Sequence, residues 1–418
     1  KGRLNGNVSY SQDQQLNINA AIDSLSLYNS NPFSVTVTAV RNENQVPFEF
    51  HLTNEANKID LNGEYFLDNA EVDASLLLDV QNLELFAFLL TGVFEKMNGV
   101  LKGETHIHGP IQTPTFDGTL RILDAGFTTV NPKLNFNVKD DIITLDNSSL
   151  KLDDFKLYDE EDNPLTINGT VTSKDYESFA YDLHITTDRY TLLNRPDSSS
   201  GPLRGILVIG TDIKLTGTEK DTQVDARIII KDTTALTYVA SSDDIELLKA
   251  EGIIDFIDPA LLLDTLGHAA STYYDSLIAS LPDFNLNSTV TIEDNASLRV
   301  IINEQSGDFL EASGGANLEL GFDRTGNVRL SGTYTIKKGV YRVSFYDLVK
   351  KNFTLAQGST ITWNGSPENG DLNIKAVYTV SSNSIGLIGH EIGENEKAIY
   401  KRTLDYEVGI NINGTIES

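Results

Sequence analysis

The side chains able to ligate a metal or move a proton are few and poorly placed to do so. The six histidines are His51, His106, His108, His184, His268 and His390, and only His106 and His108 lie close together. At i and i+2 on an apparent strand, this pair points to one face, because successive strand side chains alternate sides. Two imidazoles without a third ligand nearby do not make a zinc site, so the spacing reads as a pair on a polar surface. The acidic run at 159–164, DEEDNP, lacks the spaced oxygen ligands and central glycine of a calcium loop and reads as a solvated turn. Asp140/Asp141 and Asp153/Asp154 are sequence neighbours, so on strands they diverge to opposite faces and cannot flank one substrate. No phosphate loop, nucleophile elbow or dinucleotide fingerprint occurs. Cysteine is absent, which excludes thiol catalysis, Cys-ligated zinc and disulfide staples. These residues predict a protein that is not an enzyme, with no catalytic residues, no metal and no cofactor.

The informative signal is periodic. Val328, Leu330, Tyr334 and Ile336 share one parity, with Arg329, Ser331, Thr333 and Thr335 on the other, the period-2 pattern of a half-buried strand. Leu207, Ile209, Ile213 and Leu215 form a second such row. Val224, Ala226, Ile228 and Ile230 form a third, and Leu372, Ile374, Ala376, Tyr378 and Val380 a fourth. Turn-forming pairs such as Asn-Gly separate the runs, so the chain reads as many short strands in series. Asn168 and Asn413, which sit in Asn-x-Ser/Thr triplets, are assigned to such Asn-Gly turns. An internal repeat is also visible. Gly-x-Leu-x-Gly recurs from Gly2, Gly99 and Gly201, and apolar runs ending in Asn-Gly recur at Gly63, Gly169 and Gly414. Self-similarity of this kind indicates a quasi-one-dimensional sheet whose units bury their apolar faces by stacking on neighbours.

Two segments break the alternation. Residues 244–256 and 259–281 show helical spacing, the second with Leu262, Leu266, Ala269, Tyr273, Leu277 and Leu281 between Pro259 and Pro282. One or two amphipathic helices are therefore expected around 244–281, packed over one end of the sheet. The apolar stretch 83–97 is expected as a helix or a buried connection. The 60 acidic residues outnumber the 32 basic ones, and the formal charge of −28 opposes nucleic acid or an anionic bilayer surface as a partner. No stretch approaches the roughly 20 apolar residues of a membrane span, and no signal segment opens the chain; an anchor upstream of this sequence is expected. An apolar face of this extent is either the core of a packed sandwich or the wall of a trough that holds something with a hydrocarbon surface.

Residues 326–380 carry a resemblance. Gly332-x-Tyr334-x-Ile336-x-x-Gly339-x-Tyr341, Phe353 ahead of Gly358-Ser359-Thr360-Ile361-Thr362-Trp363, Gly365 and Pro367 in a turn, and Leu372-x-Ile374-x-Ala376-x-Tyr378 closely resemble the C-terminal domain of the TamB family, especially its Bacteroidota branch. The resemblance extends with fading specificity back to Gly99, and the chain departs from the pattern after Val380. It implies an all-β, elongated, repetitive curled sheet, the β-taco of the AsmA-like and bridge-like lipid-transfer group, with an apolar groove. The expected organisation is β-taco repeat segments at 1–98 and 99–240, a helical insertion at 241–283 and the C-terminal β domain at 284–418. It further implies inner-membrane anchoring, a periplasmic location reaching the outer membrane, an Omp85-type barrel partner of the TamA or BamA kind, and phospholipid acyl chains as cargo. The alternative role is a scaffold for outer-membrane protein assembly and secretion. Under this resemblance the groove would be lined by Leu207, Ile209, Ile213, Leu215, Ile228, Ile230, Leu318, Leu320, Val328, Leu330, Tyr334, Ile336, Ile361, Trp363, Leu372, Ile374, Ala376 and Tyr378. Ile361 and Trp363 would adjoin Leu372–Val380 as antiparallel strands.

Overall fold

The computed structural model describes residues 3–10, 16–25, 33–54, 56–84, 92–130, 133–196, 203–218, 220–239, 284–324, 326–345, 349–367, 369–383 and 403–415. These residues are all but entirely β-structure, and among them no helix is long and apolar enough to cross a membrane. The chain divides into two compact units, Lys1–Leu192 with Gly210–Asp225, and Leu193–Ile209 with Ala226–Ser418. The helices expected around 244–281 lie outside the described residues.

The first unit is a meander. Its strands are β1 (Arg3–Tyr10), β2 (Leu16–Leu25), β3 (Phe33–Val40), β4 (Gln45–Thr53), β5 (Lys58–Phe66), β6 (Glu71–Val80), β7 (Phe94–Pro110), β8 (Thr115–Thr129), β9 (Asn135–Asp146), β10 (Ser149–Tyr158), β11 (Pro164–Thr172) and the greater part of β12 (Ala180–Arg195). Each pairs antiparallel with the next. The stretch 83–97 does not end as a helix: Phe94–Met97 open β7, and Leu83 and Met97 are both buried.

Two strands, β13 (Leu203–Thr218) and β14 (Asp221–Ile230), have residues in both units. The second unit adds β15 (Ala235–Val239), β16 (Phe284–Ile292), β17 (Ser297–Asn303), β18 (Asp308–Phe322), β19 (Val328–Phe345), β20 (Val349–Leu355), β21 (Thr360–Gly365), β22 (Gly370–Ser382) and β23 (Leu404–Thr415). Here long strands are flanked by short ones set end to end. Strand β18 pairs with β17 along its first half and with β16 along its second. Strand β19 pairs with β21 and β20 in the same way, and β22 takes up those two on their other side before closing on β23. The expected juxtaposition of Ile361 and Trp363 with β22 is present, with Ile361 opposite Leu372 and Trp363 opposite Gly370.

A transverse line of irregularities creases each unit. In the first unit the line runs through Gly99, Asp124, Asp154 and Gly169, all with left-handed φ, and through a bulge between Leu152 and Phe155. Side chains satisfy the backbone groups released there. Asn98 Oδ1 accepts from Gly126 N–H at 2.9 Å, Asp141 Oδ2 from Lys156 N–H at 2.8 Å, and Asn168 Oδ1 from Asp154 N–H at 2.8 Å. In the second unit the line passes through the turns 231–234 and 293–296, the register shift at Ser313/Gly314 and the turn 356–359. Thr234 Oγ1 bonds both Val208 N–H and Val208 C=O at 3.1 Å, and Ser359 Oγ accepts from Lys375 N–H. A bulge bends a strand and sharpens its twist, so bulges aligned on neighbouring strands fold the sheet along one line.

The Asn-Gly pairs expected as turns lie within strands instead. Asn62-Gly63, Asn168-Gly169 and Asn413-Gly414 lie inside β5, β11 and β23. At Gly169, φ is 131° and a Cβ would stand 2.0 Å from the Asp182 carbonyl oxygen, so close backbone approach, not chain reversal, requires the glycine.

Candidate functional site

Directly paired residues of neighbouring strands point to the same face, so the register turns the alternation into rows that cross the sheet. In the first unit one row reads Ile22, Val35, Leu52, Ile59, Leu78, Gly103, Leu120, Ile143, Leu152, Gly169 and Leu183, from β2 to β12. The next row on the same face reads Ala20, Val37, Phe50, Leu61, Leu76, Thr105, Gly118, Leu145, Leu150, Val171 and Tyr181. On the reverse face the row between them is Ala21, Thr36, His51, Asp60, Leu77, Glu104, Thr119, Thr144, Lys151, Thr170 and Asp182. The first row is therefore apolar at every position across eleven strands, about 48 Å at the usual strand spacing.

Most of these apolar side chains are half-buried. In the first row only Val35 is fully buried; the other ten positions retain partial exposure. A sandwich core would hide such positions almost completely. Fully buried residues form two small clusters, Leu83, Met97, Ala125, Val138 and Phe155 in one and Phe33 with Val80 in another. Gly103 leaves no hole in the wall, because a Cβ there would stand 2.7 Å from Leu120 Cδ2. Thr105 interrupts its row with a buried hydroxyl that has no hydrogen-bond partner.

The second unit repeats the arrangement. Its rows are Ile292, Ala316, Tyr334, Ile361, Leu372 and Gly414; then Val290, Leu318, Gly332, Trp363 and Gly370; then Ser288, Leu320, Leu330 and Gly365; then Leu286, Phe322 and Val328. Eight of the candidate residues thus share one face here: Leu318, Leu320, Val328, Leu330, Tyr334, Ile361, Trp363 and Leu372. Ile336, Ile374 and Ala376 join Leu372, Phe353 and Leu355 in a buried cluster at the crease, with Tyr334, Ile361 and Tyr378 packed against it. Burial pushes the Tyr334 phenol up to about 12. The Trp363 indole donates to the Pro367 carbonyl at 2.9 Å, which ties it to the β21–β22 hairpin. Leu207, Ile209, Ile228 and Ile230 are half-buried in this unit, as are Ile213 and Leu215 in the first, while the fully buried residues of β13 are Val208, Gly210 and Thr211.

Among the described residues the histidines lie on the polar face. His106 and His108 share it as expected, their rings stacked at 4.9 Å, with Asp73 and Asp117 as partners at 3.0 and 3.5 Å. His51 bonds Asp60 at 2.7 Å and His184 bonds Asp212 at 2.8 Å. The acidic run at 159–164 is built around a buried residue. Asp159 accepts from the backbone of Glu161, Asn163 and Thr191 and from the Asn163 amide. Burial pushes its carboxyl up, but these hydrogen bonds outweigh burial and hold it below the usual carboxylate range.

The candidate residues missed by sequence reasoning are the first-unit rows. Their alternation was in plain view, yet the register that joins them across strands is not a property of any one run. No curated protein and no solved structure matches the chain. The family model for the TamB C-terminal domain matches residues 153–418, more than half of the 418 residues. That match, over a sheet whose apolar rows stay on one face from strand to strand, establishes that the chain belongs to the TamB family.

Proposed function

We propose that this chain is a segment of a conduit that carries phospholipid between the inner and outer membranes, its acyl tails lying along the apolar rows. The TamB family belongs to a translocation and assembly module and to lipid transport, and it is not an enzyme family. Its members are in general periplasmic and inner-membrane anchored, and they associate with an Omp85-type barrel of the TamA kind. For this chain the barrel partner, the anchor and the lipid cargo are part of the proposal. The observation that supports it best is the partial exposure of an apolar row that continues unbroken across eleven strands.

A tail of sixteen carbons loses about 12 kcal/mol on leaving a bilayer for water, at about 0.8 kcal/mol per methylene. Successive rows of similar apolar character offset that cost at each position and leave only small barriers between positions. The test is a charge on a half-buried row position. In Leu120→Asp and Leu330→Asp, lipid co-purifying with the folded protein is expected to fall at least about tenfold, read by mass spectrometry of extracted lipid. Unchanged lipid in both variants would count against the conduit.

A second reading, a scaffold for outer-membrane protein assembly, is favoured by β23. This strand bonds to β22 along its length, and among the described residues no strand pairs with its other edge. Tyr406, Val408, Ile410 and Ile412 alternate with polar residues along it, and Val408 is exposed. Such an edge can accept an added strand. Backbone-directed crosslinks from β23 to nascent barrel proteins, with no lipid on the rows, would favour this reading.

A further inference from the structure

On the apolar face of the second unit, the register from β17 to β22 places only two charged side chains among the described residues, Asp308 and Lys351. They belong to one row. Lys351 is paired with Val343, and Asp308 stands opposite Val343 on the other side, one step beyond the Phe309–Arg342 pair. Two strand spacings separate their Cα atoms, about 10 Å. The row lies at the strand ends, away from the crease.

Chemistry grades from this row toward the crease. Next comes an aromatic row, Leu310, Tyr341 and Phe353, with the Phe353 ring 5.7 Å from that of Tyr378. Beyond it lie Ala312, Gly339, Leu355 and Ala376, of which Leu355 and Ala376 are fully buried. The Lys351 ammonium donates to the Tyr378 hydroxyl at 2.6 Å and sits 4.6 Å from the ring centre. Asp308 Oδ1 is buried and accepts no hydrogen bond. A buried carboxylate oxygen without a donor is costly, so this one is set to receive a donor from outside the chain. Burial, with the nearby Asp308 carboxylate, pushes the Tyr341 phenol up to about 12.

We propose that Asp308 and Lys351 dock the headgroup of a phospholipid that bears both a phosphate and a primary ammonium. Lys351 and the Tyr378 hydroxyl take the phosphate, Asp308 takes the ammonium, and the tails lie over Phe353 and Leu355 toward the crease. This assignment rests on the conduit reading and adds a preference among lipids. A negatively charged headgroup would satisfy Lys351 but leave Asp308 facing like charge, and a lipid without phosphate would satisfy neither.

Photo-crosslinking tests it with three probes of identical diazirine-bearing tails, namely phosphatidylethanolamine, phosphatidylglycerol and diacylglycerol, at equal mole fraction in the same detergent micelles. The wild-type protein is expected to label most with phosphatidylethanolamine. Lys351→Met is expected to lower both phospholipids about tenfold, the effect of losing one charge-assisted bond, and to leave diacylglycerol unchanged. Asp308→Asn is expected to lower phosphatidylethanolamine alone. Lys351→Arg, which keeps the cation, is expected to retain labelling and guards against a folding defect. Equal labelling of all three probes by the wild-type protein would overturn the headgroup assignment while leaving the conduit intact, and no labelling by any probe would overturn both. Competition by soluble glycerophosphoethanolamine as strong as by the intact lipid would mark a site for free phosphate esters and also overturn the assignment.

Discussion

Asp159 is an ionisable residue whose hydrogen bonds serve the fold. Its carboxylate closes the 159–163 turn and accepts from the Thr191 N–H, and His51, His106 and His184 on the polar face each bond an aspartate. The pH consequence follows from sign. A carboxyl held below its unfolded value, near 3.9, contributes stability that is present above that pH and is lost as pH falls through the folded value. At neutral pH, Asp159→Asn is expected to lower stability by about 1.5–3 kcal/mol, because bonds to a charged acceptor become bonds to a neutral one. The gap between variant and wild type should close below about pH 4, read as convergence of their thermal midpoints. A constant gap down to pH 2 would mean that the side chain acts through shape alone.

Glycines placed inside strands are the element-scale device. Gly169 combines a left-handed φ with a carbonyl 2.0 Å from where its Cβ would be, whereas Gly409 in β23 has ordinary φ and open space around it. Gly169→Ala is therefore expected to cost about 1–3 kcal/mol, and Gly409→Ala close to nothing, in paired denaturant titrations. Equal effects would show that the crease does not depend on that backbone geometry. The same contrast marks what was legible beforehand. Strand existence, one-sided alternation and the β21–β22 hairpin were readable, because period-2 patterning is local. The Asn-Gly pairs were misassigned as turns, because a tight turn and a strand position with φ > 0 or close backbone approach favour the same glycine. Row continuity, and the pairing of Asp308 with Lys351 across Val343, depend on contacts between distant strands and could not be read from spacing.

For the molecule as a whole, the proposed conduit rests on the separation of faces within each unit. The formal charge of −28 disfavours anionic surfaces as partners, while one face of each unit is predominantly apolar across its strands. A one-residue slip in any strand would carry its apolar set to the wrong side. Inserting one alanine in β8 between Leu120 and Ile122 is accordingly expected to abolish lipid retention more completely than any single substitution, with strand content by circular dichroism little changed; lipid retained at the wild-type level would argue against a continuous track. The central claim is that lipid lies along the rows, and position-by-position crosslinking tests it most directly. A photoreactive amino acid placed in turn at Leu52, Leu120, Leu183 and Leu330 on the apolar face, and at Thr119 and Thr144 on the reverse, should give lipid adducts at all four apolar positions and at neither polar one. Adducts at both faces alike, or none at the apolar positions, would contradict the account.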